Sequence, residues 1–284
     1  MASFLKKMQL FLPPVLTDFI KENIGYVGLA PWEYAPQGFK TEIKSGGWGL
    51  DSIAALQKEK WPSYASRIGS CNSLGVNHES PSVSSNNDPF FHNLLISFAY
   101  VFALSAINKK VVKMLDWGGG IGHYGLLAEE LVKTTGIEVD YFCYDFEVFN
   151  THGSTLNPTY HYFNDKDLYL DKKFDLLVAS SSIWYETDWK MGVDKICRYN
   201  AEYIYITRMI FIMDKPSFVA IQRPKTMGYQ TEYLFWIINK TEFLQYMESR
   251  NLMMVREFEF GSVTPIFKAP EQGTMKGFLF KKCN

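Results

Sequence analysis

The sequence is poor in the residues that bind metal ions or form disulfide frameworks. Its 284 residues include only four cysteines and five histidines. The cysteines lie far apart and form no CxxC pair, and the histidines show neither HxH nor HExxH spacing. We therefore expect no metal site and no disulfide framework, and we expect a reducing compartment such as the cytoplasm.

An excess of charge of one sign is also missing. Lys and Arg (29) nearly balance Asp and Glu (30), so the formal net charge is −1, and the basic residues are scattered. Binding to nucleic acid needs a basic stripe that faces the phosphates, so no nucleic-acid partner is expected. Aromatic residues, in contrast, make up 16% of the chain. Such rings fill cores, and they also stack on sugars or bases.

No apolar run is long enough to span a bilayer. The longest, residues 94–107, is shorter than the roughly 20 residues that a membrane helix needs. A lysine pair followed by MQLFLPPVL near the start has some features of a signal peptide, but two prolines and nearby charges argue against one. The expectation is a soluble, cytoplasmic protein without stable membrane insertion.

The most informative segment is VVKMLDWGGGIGHYG, residues 111–125. An apolar run ends at Asp116, a glycine cluster follows, and a helical pattern begins near residue 123. Strand, glycine loop and helix in this order bring backbone groups and a helix N-terminus beside a ligand. A carboxylate at the strand end disfavours a phosphate ligand and favours a cationic or hydroxyl-rich one.

Strand and helix patterns alternate from about residue 109 onward. Strands are predicted at 111–116, 139–144, about 160–163, 174–180, 203–207, 252–260 and 275–281, and helices at 123–134, 188–199 and 241–250. Such alternation predicts a parallel sheet flanked by helices. Only a loop with Gly and Pro separates the last two strands, so these two should pair antiparallel.

We expect the chain to have two parts. Residues 1–108 are predicted to be an N-terminal helical and loop extension that covers the site, loop-rich up to about residue 90 and then helical at 91–108. Residues 109–284 are predicted to form the ligand-binding α/β domain. Within it, an insertion at 208–240 follows a C-terminal strand end, where open α/β sheets bind ligands. Its strand-like runs are 217–222 and 233–238.

A second acid stands at the next strand end. Asp145 follows the strand predicted at 139–144 and lies 29 residues after Asp116. Rossmann-like folds place a carboxylate here on the hydroxyls of a ribose, and Glu147 is the rival for this role.

The DxGxGxG pattern from Asp116 to Gly122 resembles the first motif of class I S-adenosylmethionine (SAM)-dependent methyltransferases. This resemblance implies a Rossmann-like α/β fold, with a mostly parallel sheet and one antiparallel strand near the C-terminus, behind an N-terminal mostly helical extension. It also implies SAM as cofactor and S-adenosylhomocysteine as product. The cofactor site that we predict consists of Asp116, Gly118, Gly119, Gly120, Gly122, Asp145, Phe146, Ser180 and Ser181. Asp116 would orient the loop or meet the ammonium group of the methionine part.

A longer pattern resembles a family of methyltransferases associated with bacterial surface-polysaccharide (capsule or O-antigen) loci. It runs from DWGGGIG through YDFEVFNTHG, VASSSIWY, ITRMIFI, AIQRP and EYLFWIINKTEFLQYME, about residues 111–260, with a further Gly47-Trp48 element. The chain departs from that family at Trp117, where the family has Phe, and at Thr207-Arg208, where the family often has Asp-Arg. The resemblance implies O-methylation of a small-molecule acceptor, a sugar or a phosphorylated or nucleotide-linked sugar.

A hydroxyl acceptor must lose its proton, so a general base is expected. The candidate catalytic residues follow strand ends or the glycine loop: Tyr185, Glu186, Arg208 and His123. Tyr185 or Glu186 would hold or deprotonate a hydroxyl, and Arg208 would grip a phosphate or carboxylate. The alternatives are a core position for Tyr185, a surface ion pair for Arg208 and a helix-start position for His123.

Two other functions stay open at this point. Gly120, Gly122 and Gly125 match GxGxxG, which suggests an NAD(P)-dependent sugar-nucleotide oxidoreductase or epimerase. In that fingerprint the first glycine follows the strand almost at once, whereas Asp116 to Gly119 intervene here. The third possibility is a non-catalytic Rossmann-like binding protein.

Overall fold

A ten-stranded sheet with helices on both faces forms the framework of the protein. The computed structural model describes residues 30–43, 46–80 and 88–283, so the leader-like segment near the start of the chain lies outside the described residues. The strands are β1 (Trp32–Tyr34), β2 (Val111–Trp117), β3 (Glu138–Tyr144), β4 (His161–Phe163), β5 (Lys173–Ser180), β6 (Asn200–Ile212), β7 (Phe218–Gln222), β8 (Tyr233–Asn239), β9 (Leu252–Thr264) and β10 (Gly273–Lys282). The helices are α1 (Asp51–Ile68), α2 (Pro89–Ser105), α3 (His123–Val132), α4 (Glu147–Leu156), α5 (Trp189–Cys197) and α6 (Lys240–Ser249).

Seven strands follow the order β4-β3-β2-β5-β6-β10-β9. All of them are parallel except β10, which runs antiparallel to both β6 and β9. This order confirms the predicted Rossmann-like sheet and its antiparallel strand near the C-terminus. Because the carboxyl ends of β2, β3, β5 and β6 meet at one edge, the loops that follow them are neighbours.

Helices cover both faces of this sheet. Phe98 of α2 and Leu127 of α3 belong to the hydrophobic cluster on one face, and Val193 of α5 and Phe243 of α6 belong to the cluster on the other. The central strand β5 is buried from Phe174 to Ala179, as expected for a parallel strand that is covered on both sides.

The insertion differs from the prediction in its start and in its role. Strand β6 continues to Ile212 instead of ending at 207, because the apolar run ITRMIFI continues the strand, so the insertion begins after residue 212. Strands β7 and β8 pair with each other, β1 joins β7, and β8 joins the end of β6. The insertion therefore enlarges the sheet, whereas the prediction assigned it only to a cover over the site.

Two helices were not expected from the sequence. Helix α1 lies in the region predicted to be loop-rich, and Pro62 and several polar residues weaken its apolar pattern. Helix α4 contains Gly153 and several Ser, Thr and Asn residues, which are weak helix formers. The helix predicted at 91–108 spans Pro89–Ser105, and the Asp88 side chain caps it by accepting from the Phe90 N–H. None of the helices in the described residues is both long and apolar enough to cross a membrane.

Candidate active site

The glycine loop joins β2 to α3 at the carboxyl edge of the sheet. Gly118 has a φ of 76°, and a Cβ added there would come within 2.5 Å of the Ser182 Cβ. A Cβ on Gly119 would lie 2.6 Å from the Asp116 carboxyl group. Gly118 to Gly120 line a large cavity, whereas Gly122 packs against the Tyr162 hydroxyl on the far side of the loop. The first three glycines thus place bare backbone at the cavity.

Asp116 lies fully buried beneath this loop. Its Oδ2 accepts a hydrogen bond of 2.6 Å from the Tyr141 hydroxyl, and its Oδ1 has no partner among the described residues. Burial and, to a smaller extent, the nearby Asp145 raise the pKa of Asp116 to about 7. The hydrogen bond from Tyr141 partly offsets this shift. Because Asp116 is not among the residues that line the cavity, its position suits the role of orienting the loop better than contact with a ligand.

Asp145 stands at the end of β3 and faces the cavity. Its two carboxylate oxygens each accept a hydrogen bond of 2.7 Å, one from the N–H of Gly120 and one from the N–H of Phe146. Burial raises the pKa of Asp145 to about 6, and the two N–H groups partly offset that shift. The exposed Phe146 ring and the rival Glu147 also line the cavity, but Glu147 has no hydrogen bond to the glycine loop and instead accepts one from Asn164.

Ser180 and Ser181 bring the end of β5 to the same cavity. The Tyr124 hydroxyl donates to Ser180 Oγ over 3.2 Å, and Ser181 Oγ donates to the carbonyl oxygen of Arg208 over 2.7 Å. The next residue, Ser182, has a buried hydroxyl without a partner among the described residues.

A bulge in β6 directs Arg208 into the cavity. Opposite Gly277 of β10, strand β6 has two residues, Thr207 and Arg208, and Arg208 has a φ of 57°. Its Nη2 donates to the Glu79 carboxylate, and the two side chains are only 14% and 7% exposed. Arg208 is therefore part of a buried ion pair, not of the surface pair considered above.

Two histidines stack beside this ion pair. The ring centroids of His78 and His123 lie 4.0 Å apart, and Trp61 and Tyr64 pack against His123. Burial lowers the pKa of both imidazoles well below 6.5, and the Arg208 charge lowers them further, so both rings are neutral at physiological pH. Both line the cavity.

Aromatic side chains form the remaining wall. Trp48 stacks on Tyr233 with centroids 4.4 Å apart and meets the edge of Tyr185 at 5.8 Å. The Tyr185 hydroxyl donates to Gln222 over 3.1 Å, and burial raises its pKa well above 10. Glu186 lies at the rim, where its carboxylate pairs with Lys195.

One cavity of about 1400 Å³ connects all of these groups. Of the predicted site residues, only Asp116 and Gly122 are not part of its lining. The described residues contain no group of three or more His, Cys, Asp or Glu side chains placed to hold a metal ion.

Several lining residues were not predicted, notably Gln57, Glu79, Trp48 and Tyr233. Trp48 and Tyr233 lie in segments quoted for the family resemblance but were not predicted as site residues, whereas Glu79 belongs to no motif and approaches the cavity only through the tertiary fold. A signal did exist for α1: Gln57, Trp61 and Tyr64 recur at helical spacing, with a polar residue inside an otherwise apolar stripe.

Comparison with known proteins gives similarity at the level of fold. No protein-family model and no curated protein matches the chain. The 1,6-didemethyltoxoflavin-N1-methyltransferase of Burkholderia thailandensis, solved with 1,6-didemethyltoxoflavin and S-adenosylhomocysteine bound, is 11% identical over 89% of this chain and 100% of that chain, with a TM-score of 0.46. A SAM-dependent methyltransferase from Clostridium acetobutylicum is 12% identical over 67% of this chain and 92% of that chain, with a TM-score of 0.43. The cyclase SpnF is 12% identical over 82% of this chain and 95% of that chain, with a TM-score of 0.49. Since these TM-scores are below 0.5, the assignment of the fold depends on the strand order described above.

Proposed function

We propose that this protein is a SAM-dependent methyltransferase that methylates an oxygen of a small hydroxyl-bearing acceptor. The observation that carries the proposal is the Asp145 carboxylate, which faces the cavity beside the glycine loop while the N–H groups of Gly120 and Phe146 hold it. A carboxylate oxygen accepts more than one hydrogen bond, so both oxygens keep room for a further donor. The two hydroxyls of a ribose are donors of this kind.

The loop's own hydrogen bonds favour this ligand over a dinucleotide. A phosphate-binding loop points free N–H groups at its ligand. Here the N–H of Gly118 donates to Tyr144, that of Gly120 to Asp145, and that of Gly122 to Gly119. A pyrophosphate would find these donors occupied and a carboxylate beside it, which argues against the NAD(P)-dependent alternative.

The residues that we assign to the cofactor subsite are Gly118, Gly119, Gly120, Asp145 and Phe146. Their bare backbone, carboxylate and exposed ring fit the amino-acid, ribose and adenine parts of SAM. When bound, SAM supplies an electrophilic methyl group and a thioether leaving group. The protein therefore has to align the acceptor oxygen and exclude water, and alignment of this kind contributes about 7–11 kcal/mol in well-oriented reactions.

We assign His78, Glu79, His123, Tyr185 and Arg208 to an acceptor subsite. The Arg208–Glu79 pair and the neutral histidines give this group no net charge. Such a surface suits an uncharged hydroxyl group better than a phosphate, because Glu79 already compensates the Arg208 charge. The finer expectation, a sugar of surface-polysaccharide synthesis, depends on the sequence resemblance over residues 111–260.

The acceptor subsite also offers a base. Tyr185 keeps its proton because its pKa is raised, so it is a poor proton acceptor, and the Glu186 carboxylate is paired with Lys195. We propose that neutral His78, the more exposed of the two stacked rings, accepts the hydroxyl proton as the oxygen bonds to the methyl carbon and the carbon–sulfur bond breaks. Because burial and the Arg208 charge lower its pKa, His78 is a weak base toward a free hydroxyl, so the proton is transferred only as the oxygen–carbon bond forms and the hydroxyl becomes more acidic. One positive charge is then lost at sulfur while one is gained on the imidazole, so the net charge of the cavity stays constant.

Calorimetry with S-adenosylhomocysteine and, separately, NADPH tests the cofactor. We expect the wild type to bind S-adenosylhomocysteine with micromolar affinity. Asp145→Ala should weaken this binding about 30-fold, or about 2 kcal/mol, because two hydrogen bonds to a charged group are lost. Glu147→Gln is the matched control and should bind as the wild type does. Micromolar binding of NADPH without binding of the thioether would overturn the proposal.

A methyl-transfer screen tests the acceptor. Labelled SAM would be offered with uncharged glycosides, nucleotide-linked sugars and sugar monophosphates, and we expect the label on a sugar hydroxyl. His78→Gln should reduce turnover while leaving the affinity for S-adenosylhomocysteine unchanged. Transfer to a phosphate oxygen, or full activity of His78→Gln, would contradict the acceptor assignment.

A further inference from the structure

Gln57 is a buried polar residue of α1 that the mechanism above does not use. Its side chain lies at the glycine loop: Oε1 is 3.3 Å from the position that a Cβ on Gly120 would take. The residue is only 5% exposed and lines the cavity. Its Nε2 donates to the Tyr229 hydroxyl over 3.3 Å, which fixes the carbonyl oxygen toward the loop.

The Gln57 carbonyl oxygen has no donor among the described residues. Lys60, three residues further along the same helix, donates to the backbone carbonyls of Glu79 and Met227 instead. The Gly120 N–H is also unavailable, because it donates to Asp145. Leaving a buried acceptor unpaired is unfavourable, so this oxygen is placed for a donor that a ligand brings.

We propose that the Gln57 carbonyl accepts a hydrogen bond from the ammonium group of the methionine part of the cofactor; this rests on the proposed function. Asp145 provides the acceptor for the ribose hydroxyls from the β3 side of Gly120, and Gln57 borders the same glycine from α1. An ammonium group has three N–H donors and needs several acceptors. Helix α1 thereby contributes directly to cofactor binding and does more than cover the site.

The test compares Gln57→Met with Glu59→Met, an exposed position on the same helix. Calorimetry would use S-adenosylhomocysteine and 5′-methylthioadenosine, which keeps the adenine, ribose and thioether but lacks the amino-acid part. We expect Gln57→Met to bind S-adenosylhomocysteine about tenfold more weakly and methylthioadenosine as the wild type does. Gln57→Glu, which keeps an acceptor at this position, should retain S-adenosylhomocysteine binding, and Glu59→Met should change neither.

The outcomes separate this inference from the function on which it rests. If the wild type binds S-adenosylhomocysteine and Gln57→Met binds it equally well, the inference is wrong and the proposed function stands. If Gln57→Met weakens both ligands alike, the donor is not the ammonium group and the assignment is overturned. If the wild type does not bind S-adenosylhomocysteine, the proposed function itself fails. Thermal unfolding of Gln57→Met should show only a small loss of stability, because the substitution removes the Nε2 hydrogen bond to Tyr229 but no partner of the carbonyl oxygen.

Discussion

Apart from the Gln57 proposed above, the cofactor subsite consists of two short stretches that present backbone groups, one carboxylate and one ring. The acceptor subsite consists of side chains from four separated stretches. Gly118 to Gly120 and Asp145 with Phe146 each follow a strand directly. His78 with Glu79, His123, Tyr185 and Arg208 are brought together only by the tertiary fold. We therefore expect the geometry of the cofactor subsite, which a local motif sets, to tolerate distant substitutions well. The geometry of the acceptor subsite depends on packing between distant segments, so we expect substitutions to change it more easily.

The two subsites also differ in their electrostatics. At the cofactor subsite, burial raises the pKa of Asp145 and of the underlying Asp116, which favours their neutral forms. At the acceptor subsite, burial lowers the pKa of His78 and His123, which also favours their neutral forms. The buried ion pair between Arg208 and Glu79 lies beside these two rings.

The largest effect is expected when that pair is broken. Glu79→Ala leaves the Arg208 charge buried without its partner, and we expect a loss of about 3–5 kcal/mol in the free energy of unfolding. Urea unfolding measures this loss. The folded fraction should bind S-adenosylhomocysteine as the wild type does, because Glu79 belongs to the acceptor subsite.

The control is the ion pair at the rim. Glu186 and Lys195 are 31% and 28% exposed, so Glu186→Ala should cost less than about 1 kcal/mol. Equal losses for Glu79→Ala and Glu186→Ala would show that the buried pair is no more important to stability than the rim pair.

The second prediction concerns the backbone of the cofactor subsite. A Cβ on Gly119 would lie 2.6 Å from the Asp116 carboxyl group and 2.8 Å from the Cys143 sulfur. We expect Gly119→Ala to lower the free energy of unfolding by about 1–3 kcal/mol, the usual range for overpacking. Calorimetry should also show weaker binding of S-adenosylhomocysteine, because the loop must shift.

Gly46→Ala is the matched substitution for this test. Its added Cβ would lie 3.5 Å from the Leu50 side chain, which is ordinary contact. Its stability and its affinity for S-adenosylhomocysteine should therefore stay near those of the wild type. If both alanine variants behave alike, the close fit between Gly119 and Asp116 has no energetic consequence.

The sequence predicted these two subsites to different degrees for a physical reason. The glycine loop and Asp145 follow from strand ends and spacing, which are properties of contiguous residues. Arg208 was predicted because it follows the strand expected at 203–207, although it lies within β6, and no local pattern joins it to its partner Glu79, which is 129 residues away. Helix α1 was missed for a similar reason: Gln57 and Lys60 interrupt its apolar stripe, and their burial makes sense only beside the cavity.

The third prediction uses the opposite signs of the pKa shifts. Asp116 has a raised pKa in the folded state, so its contribution to stability is fully present below the unfolded value of 3.8 and is lost as the pH rises through about 7. His123 has a lowered pKa, so its contribution is present above 6.5 and is lost as the pH falls below that value. The two effects oppose each other between about pH 4 and 6.5.

Single substitutions separate these effects. Relative to the wild type, Asp116→Asn should gain stability as the pH rises from 5 to 7, and His123→Gln should gain stability as the pH falls over the same range. The Asp116→Asn difference should amount to about 1–2 kcal/mol, since one unit of pKa shift corresponds to 1.36 kcal/mol, and the His123→Gln difference should have the opposite sign. Urea unfolding of the free protein across this range provides the measurement. Parallel pH profiles of both variants would contradict the opposed titrations.

The smallest effect is expected at Tyr185, and it bears directly on whether the two subsites are separable. Tyr185→Phe removes the hydrogen bond to Gln222 and leaves the aromatic packing against Trp48 in place. We expect a loss of about 0.5–1.5 kcal/mol in the free energy of unfolding, and no change in the affinity for S-adenosylhomocysteine. Trp48→Leu removes the ring that packs against Tyr185 but keeps the Tyr185–Gln222 hydrogen bond. Comparison of the two variants therefore separates the contribution of packing to stability from that of the hydrogen bond. If Tyr185→Phe weakened S-adenosylhomocysteine binding tenfold, Tyr185 would belong to the cofactor subsite. The division of the cavity into a cofactor subsite formed mainly by backbone groups and an acceptor subsite formed by side chains would then be wrong.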